Sequence, residues 1–525
     1  MLDPADPIAQ PRKPVASARR SGQWNHISVI RRPRCHSMSE SEIGVLSRQA
    51  VAAHEAGALP AADAILRRIL ELDPTNEDAI RRRVAIAQQR GRSEDALAVV
   101  DAAIRADPIN PDWAIGRALV LGVLGRRAEA IPAYDQAIAL RPLDDVYQHD
   151  RAITLLTINR FPEALAGFNA AIAIRPDSAR NHTARGGALW RLGRFEEALA
   201  GYDRAIELQE DFAHAWFAKA LLLLLMGRYK EGWELHEWRN WLPQSTSGQR
   251  LFRQPMWEGA GFHGQMMLLH AEQGLGDTIQ FYRFVNVARN LGGVIVEVAE
   301  PLARLLASQP NAPLVLGPGQ LLPDFALQCP IMSLPWVLGT ELHTIPTSIA
   351  YLEADAALAA SWASRLPPKR PGQLRVGISW TGNTTLAVNH TRSMPLATML
   401  SMFGPDVALV SLQKDVPASD QTKLAEASQV TDLGGSFADL ADTAAVISQL
   451  DLVVSVCTSV AHVAGALGKP VWIMLAADAD WRWLTDREDS PWYPSARLFR
   501  QETPGDWDGV AARVREALAR LPVPR

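Results

Sequence analysis

The chain has 525 residues, with 53 Lys+Arg against 57 Asp+Glu for a net charge of -4, and 48% of it is hydrophobic. At roughly 100–200 residues per domain this length calls for two to four domains, and the balanced charge gives no global reason for nucleic acid or an anionic membrane as the main partner. Gly 35 and Pro 35 are close to the average share, which excludes collagen-like and broadly disordered chains.

Residues 1–42 open the chain as a basic leader carrying Arg12, Lys13, Arg19, Arg20, Arg31, Arg32 and Arg34. It has no apolar h-region, so it does not read as a secretory signal, and its composition predicts disorder. No stretch approaches the ~20 apolar residues that span a bilayer, so no transmembrane segment is expected. The cysteines, Cys35, Cys329 and Cys457, lie far apart with no CxxC. That pattern argues against a disulfide framework or a Cys-rich zinc site and for a reducing, cytoplasmic setting.

From about residue 43 the chain repeats itself with a period of 34. Gly57, Gly91, Gly125, Gly193 and Gly227 share one register, and Asn159 fills the gap in the series. Five residues later stand Ala62, Ala96, Ala130, Ala164, Ala198 and Gly232; seven further on stand Ile69, Ala103, Ala137, Ala171, Ala205 and Arg239. Pro74, Pro108, Pro142 and Pro176 close four of the units. Each feature suits a helix–turn–helix unit. Gly or Asn supplies a left-handed residue that ends the first helix, Ala allows close helix packing, and Pro stops the second helix. The pattern resembles the tetratricopeptide repeat over about residues 43–241, in some six units. Such an array serves either as plain scaffold or as a concave surface that binds a protein or peptide. The sixth unit runs into Gly232-Trp233-Glu-Leu-His-Glu-Trp238-Arg239-Asn-Trp241, whose three tryptophans suggest a docking cap. Residues 242–264 read as a linker, with the polar joint at 243–249.

Beyond 265 the period changes to alternating strands and helices. Strands are predicted over 266–271, 294–298 and 313–316, then over 374–380, 407–412, 452–456 and 471–475. Helices are predicted from Asp277 to about 291 and over 301–308, then over 396–402, 437–449, 459–467 and 510–521. Two such blocks, 265–365 and 372–525 with a Pro-rich joint between them, imply two Rossmann-like domains with parallel sheets. Ligands in such folds bind beyond the carboxyl ends of the strands, so the cleft between the blocks is the expected site.

Several strings in this half carry a resemblance: His270-Ala-Glu-Gln-Gly-Leu-Gly-Asp277, Val376-Gly-Ile-Ser-Trp-Thr-Gly-Asn383, Thr458-Ser-Val-Ala-His462 and Asp480-Trp-Arg-Trp-Leu484. Over about residues 230–520 the chain is similar to family 9, heptosyltransferase-like glycosyltransferases, in the version found behind tetratricopeptide arrays. The resemblance implies a GT-B fold and an inverting sugar transfer from a nucleotide-sugar, with no metal or other cofactor. It also implies that Asp277 is the general base for the acceptor hydroxyl; read by itself, Asp277 caps the helix it opens. Gly274 and Gly276 would let backbone approach a ligand closely.

Thr458, Ser459 and His462 open the helix after strand 452–456, where free N–H groups suit a diphosphate. Relatives carry Asp-Thr-Gly-x-x-His there, so Cys457 replaces the Asp and Ser459 the Gly. By family position Arg392, Gln413 and Lys414 also fall to the donor, although both cations serve equally as solvated surface charges, and His462 equally as a buried histidine. Asp478-Ala-Asp480 has the DxD spacing of metal-binding transferases, but it lies in a loop without companion ligands. The tryptophans near the C-terminus are expected to pack rather than to stack on sugar. These readings converge on a glycosyltransferase whose repeats present a protein or glycan acceptor; the rival is a non-catalytic adaptor with a degenerate transferase domain.

The register places the first repeat at Ile43, just past Met38. A chain begun at Met38 is therefore expected to melt at the temperature of the full chain, read by calorimetry. A large drop would show that the leader packs.

Overall fold

The computed structural model describes residues 40–243, 250, 252–346, 348–383 and 389–521. Cys35, nearly all of the basic leader and most of the polar joint lie outside these residues. Packing divides the chain into two compact units, one ending at Ala215 and the other beginning at Trp216.

The repeats form helix pairs: α1/α2 (Glu40–Glu55, Leu59–Leu72), α3/α4 (Glu77–Gln89, Ser93–Ala106), α5/α6 (Pro111–Val123, Arg127–Leu140), α7/α8 (Asp145–Thr157, Phe161–Ile174), α9/α10 (Ala179–Arg191, Phe195–Leu208) and α11/α12 (Ala213–Leu225, Tyr229–His236). Every feature of the 34-residue period has a local cause. The glycines of the series and Asn159 all take positive φ, from 62 at Asn159 to 77 at Gly227. The next N–H then turns back five residues, as in Arg92 to Ala87 and Arg126 to Leu121, satisfying a carbonyl at the helix end.

Asn76, Asn110, Asp144 and Ser178, also 34 apart, cap the following helices with their side-chain oxygens. Each closing proline falls two residues past a helix end, where it removes no intrahelical bond. Ala62, Ala96, Ala130, Ala164 and Ala198 are all fully buried or nearly so. One periodic device is not apparent from the glycine and alanine series: after every turn but the first, where Ala58 stands, an exposed Arg pairs with an acid three residues on, as in Arg126–Glu129 and Arg194–Glu197.

The second unit holds α12, a 3₁₀ turn at Glu237–Trp241 and two α/β blocks. The first block contains β1 (Phe262–His270), α13 (Leu275–Tyr282), α14 (Val285–Arg289), β2 (Gly292–Glu297), α15 (Glu300–Ala307), β3 (Leu314–Leu316), β4 (Leu327–Pro330), α16 (Leu334–Val337) and α17 (Ala356–Ala363). The second contains β5 (Leu374–Ser379), α18 (Asn389–Arg392), α19 (Leu396–Leu400), β6 (Val407–Ser411), α20 (Ala418–Glu426), β7 (Val430–Asp432), α21 (Leu440–Ile447), β8 (Leu452–Val456), α22 (Ser459–Ala466), β9 (Val471–Leu475), β10 (Ala496–Arg500) and α23 (Trp507–Ala519).

Both sheets are parallel, in the orders β3-β2-β1-β4 and β10-β9-β8-β5-β6-β7. β8 and β9 are buried along their whole length, as strands covered on both faces must be. The order reverses between β1 and β4 in one sheet and between β5 and β8 in the other, which places binding loops at the ends of those strands.

Two segments differ from the sequence reading. The stretch before 265 is more than a linker: Trp257 is buried, its N–H donates to the Gln328 carbonyl at 2.8 Å, and β1 already begins at Phe262. α17, expected with the first block, packs on α21 of the second, because the indole of buried Trp362 finds its acceptor in Asp442 at 3.1 Å. A further clasp joins the blocks where Arg304 on α15 grips Asp439, the N-cap of α21, through two 2.8 Å bonds. No helix among the described residues is long and apolar enough to cross a membrane.

Neighbouring glycines in α9 test the repeat packing. A Cβ at Gly186 would lie 2.5 Å from the Tyr202 ring, whereas one at Gly187 meets nothing within 4 Å. Gly186→Ala should destabilise by about 1–3 kcal/mol through overpacking, and Gly187→Ala should stabilise by about 0.5–1 kcal/mol, both read by urea denaturation.

Candidate functional site

The site is built from the loops that leave β1, β5, β8 and β9. After β1 the chain turns through Gln273, which holds φ 59, so the left-handed residue here is Gln273 and neither glycine of the Gly-x-Gly turn. Gly274 is the N-cap of α13, and its N–H donates to Asp277 Oδ2 at 3.0 Å. Asp277 therefore does cap its helix. Its other oxygen accepts from Arg482 Nη2 at 2.5 Å, across 205 residues of sequence.

Gly276 makes a close helix contact. α13 packs against α22, and a Cβ at Gly276 would sit 2.7 Å from His462 Cδ2. His462 is buried, with its Nδ1 2.7 Å from Tyr493 Oη and its ring stacked on Trp483 at 5.6 Å. Burial holds His462 far below its ordinary pKa, and Arg482, Arg283 and Arg392 act in the same direction. The ring is neutral at physiological pH.

Burial pushes the Asp277 carboxyl above its ordinary range; the charge of Arg482 opposes that push and Asp480 adds to it. Burial likewise raises the Cys457 thiol, whose sulfur accepts from Trp483 Nε1 at 3.2 Å, so it stays protonated and is no nucleophile. Thr458 is the N-cap of α22 without a side-chain cap bond; its hydroxyl lies 3.1 Å from Ser455 Oγ. Ser459 follows as the first helical residue, half-buried beside it.

Arg392 ends α18 half-buried, its Nε 3.4 Å from Asn389 Oδ1, and that oxygen also accepts from the Gly382 N–H at 3.1 Å. Gln413 is buried, and its Oε1 accepts from Ser379 Oγ and from the N–H groups of Trp380 and Thr381 at 3.1–3.3 Å. Its amide thus clamps the loop after β5 to the loop after β6. Lys414 is exposed and donates to the Ala438 carbonyl at 2.7 Å. The geometry brings Asp277, Gly276 and His462 together, while Gln413 and Lys414 serve loop structure. Trp472, Trp481, Trp483, Trp492 and Trp507 are all buried in packing.

The repeats carry a concavity of their own. A cavity of about 300 Å³ is lined by Asp63, Arg67, Arg83, Arg90, Arg92 and Asp95, among others. Asp63 Oδ1 accepts from Arg83 Nε at 2.9 Å and Oδ2 from Arg67 Nη2 at 2.6 Å.

Comparison with known proteins agrees with both halves. Residues 83–145, 116–179, 149–208 and 183–232 match the tetratricopeptide repeat model, and residues 394–500 match glycosyltransferase family 9 (heptosyltransferase). The matches thus cover the helical repeats and a C-terminal segment of the second α/β block. It is 28% identical over 325 residues to protein FlbA of Caulobacter vibrioides, covering 55% of this chain and 52% of FlbA. The chain thus spans about half the length of that curated relative. Among solved structures it is similar to MamA (19% identity, 34% of this chain and 96% of that one, TM-score 0.30). It is also similar to YrrB, described as a tetratricopeptide protein with an unusual peptide-binding site (26%, 33% and 89%, TM-score 0.29).

Two arginines escaped the sequence reading of the site. Arg482 stood in a matching string without a role, and Leu484, two residues on, takes the strained backbone of φ 53 and ψ -164. Arg239 stood in the repeat register where earlier units have Ala or Ile, and that mismatch was its signal. It is fully buried, bonded to Glu237 at 2.6 Å, to Glu272 at 2.6 and 3.2 Å, and to Ser333 Oγ at 2.7 Å. Glu272 lies in the loop that leads to Asp277, so this triad fixes the loop from behind. Arg239→Leu strands two buried carboxylates and should destabilise the second unit by about 3–5 kcal/mol in chemical denaturation.

Proposed function

We propose that the chain moves a sugar from a nucleotide-sugar to a hydroxyl of a protein or glycan acceptor, with inversion and on a GT-B architecture. One observation carries this reading: Asp277 is held at the junction of the two α/β blocks, facing the helix whose N-terminus suits a diphosphate. In this reading Asp277 takes the proton of the acceptor hydroxyl as that oxygen attacks the sugar carbon. The N–H groups at Thr458 and Ser459, with Arg392 nearby, hold the diphosphate that leaves. Gly276 allows α13 to approach α22 closely enough for both groups to face one substrate. The repeat array supplies the acceptor through its concave face.

A second reading, the adaptor, is favoured by one feature. Cys457 stands where the resembled family has a carboxylate, and its thiol is engaged by Trp483.

Nucleotide binding separates the two. UDP-, GDP-, ADP- and CMP-linked sugars should include one that raises the melting temperature of the full chain; none doing so would favour the adaptor. With that donor, Asp277→Asn is expected to lower transfer by about 10²–10⁴-fold, the usual contribution of a general base, while nucleotide binding persists. The fold should survive because Asp480 remains paired with Arg482. Transfer by Asp277→Asn at close to the wild-type rate would refute the assignment.

A further inference from the structure

Arg482 follows β9 in the second block, yet its guanidinium serves the first. Its Nε donates to Gln280 Oε1 at 2.6 Å and its Nη2 to Asp277 at 2.5 Å, while Nη1 lies 2.8 Å from Asp480. The Arg482 side chain is 8% exposed, that of Asp277 19% and that of Asp480 39%. One buried cation is therefore shared by two carboxylates that both keep access to solvent. Among the described residues, Arg482 is the cation ion-paired with Asp277.

We propose that Arg482 and Asp480 are positioning residues for Asp277: Arg482 fixes the carboxylate across the block junction, and Asp480 shares the guanidinium so that Asp277 can still take a proton. The proposal rests on the reading of Asp277 as the base. A base paired with an arginine it does not share would be held ionised too firmly to accept a proton, since an adjacent cation lowers a carboxyl pKa by about 1–3 units. A base with no such partner would have only the Gly274 N–H to orient it. Asp480 resolves the conflict by dividing the cation.

Other charged or titratable groups face this pair from every side. His462 and Cys457 stand at the start of α22 and are both neutral. Arg392 comes from α18. Arg283, at the end of α13, is turned onto the rings of Tyr351, Trp492 and Tyr493. Behind the loop, the charge of Glu272 is engaged by Arg239.

The test is the pH dependence of kcat/KM for wild type, Arg482→Gln, Arg482→Lys and Asp480→Asn. Alongside it runs a carboxyl ¹³C titration of Asp277, its signal assigned by its loss in Asp277→Asn. Removing the cation in Arg482→Gln should move the acid limb and the carbon titration to higher pH by about 1–3 units. Removing the competing anion in Asp480→Asn should move both to lower pH. Arg482→Lys keeps the charge but not the planar fork, so the limb should stay near the wild-type position while kcat falls. Shifts of the same sign in Arg482→Gln and Asp480→Asn, or none, overturn the proposal, and so does an Arg482→Lys variant that keeps the wild-type kcat, because a role confined to charge or folding would not lower kcat with the limb unmoved. Should Arg482→Gln fail to fold, the direction of the shift in Asp480→Asn decides. If no donor turns over, the carbon titration still decides the proposal, and it is the transferase reading that has failed.

Discussion

A cluster of buried aromatic rings from three distant stretches of chain holds the second unit together. Tyr229 and Trp233 come from α12, Phe281 and Phe284 from α13 and its end, and Trp481 and Trp492 from the loops around β9 and β10. Trp233 meets Trp481 edge-on at 5.3 Å and Phe281 at 5.9 Å, and Trp492 Nε1 donates to Tyr229 Oη at 3.0 Å. Such pairs contribute about 0.5–1.5 kcal/mol each beyond their burial. Arg482 follows Trp481 directly, with its guanidinium over that ring at 4.8 Å. The ion pair at the candidate site therefore inherits its position from a hydrophobic contact.

The contact between α13 and α22 is close. Phe281 ties α13 into the cluster, Gly276 leaves room for His462 and nothing more, and His462 on α22 is braced from behind by Trp483 and Tyr493. Cys457 fits this arrangement electrostatically. It lies close enough to Arg482 and Asp480 to feel both charges. A carboxylate at 457 would bring a third negative charge beside Arg482, whereas a protonated thiol brings none and still accepts the indole N–H.

The repeat half was legible because each of its signals has a cause within one unit: a left-handed turn, a small contact residue, a helix stop. In the second unit the fully buried runs β8 and β9 were read at their observed bounds, since an apolar stretch of that length between turn residues has few other fates. β4 was not read, because it is four residues long and ends at Pro330; nor was β10, whose Arg497 and Arg500 interrupt the apolar run. The helix predicted to 291 breaks at Arg283 and Phe284, which turn instead into the aromatic cluster. At the candidate site, Asp277 and His462 stand out in the sequence through short strings, but their partners do not. Pairings such as Asp277 with Arg482 join residues that sequence proximity cannot connect. The loop bonds of Gln413 were not read either: a polar residue after a strand looks the same whether its amide meets a ligand or a neighbouring loop.

The last repeat shows how a solenoid end becomes part of an enzyme-like core. A terminal repeat ordinarily presents a polar outer face to water. Here α12 presents Tyr229 and Trp233, and the 3₁₀ turn that follows presents Arg239, all of them buried. A buried cation requires anions, and Glu272 supplies one from the loop after β1. Gly232, which takes the small-residue place in the register, has no room for a Cβ because Leu224 lies 2.7 Å from where it would stand. The helix is thus held by its repeat partner on one side and by the α/β core on the other, which is why the packing boundary falls at Ala215, inside α11, and not at the end of the repeat register. Arg239 thereby ties the end of the repeat to Glu272, which stands in the short loop that runs into α13 and Asp277.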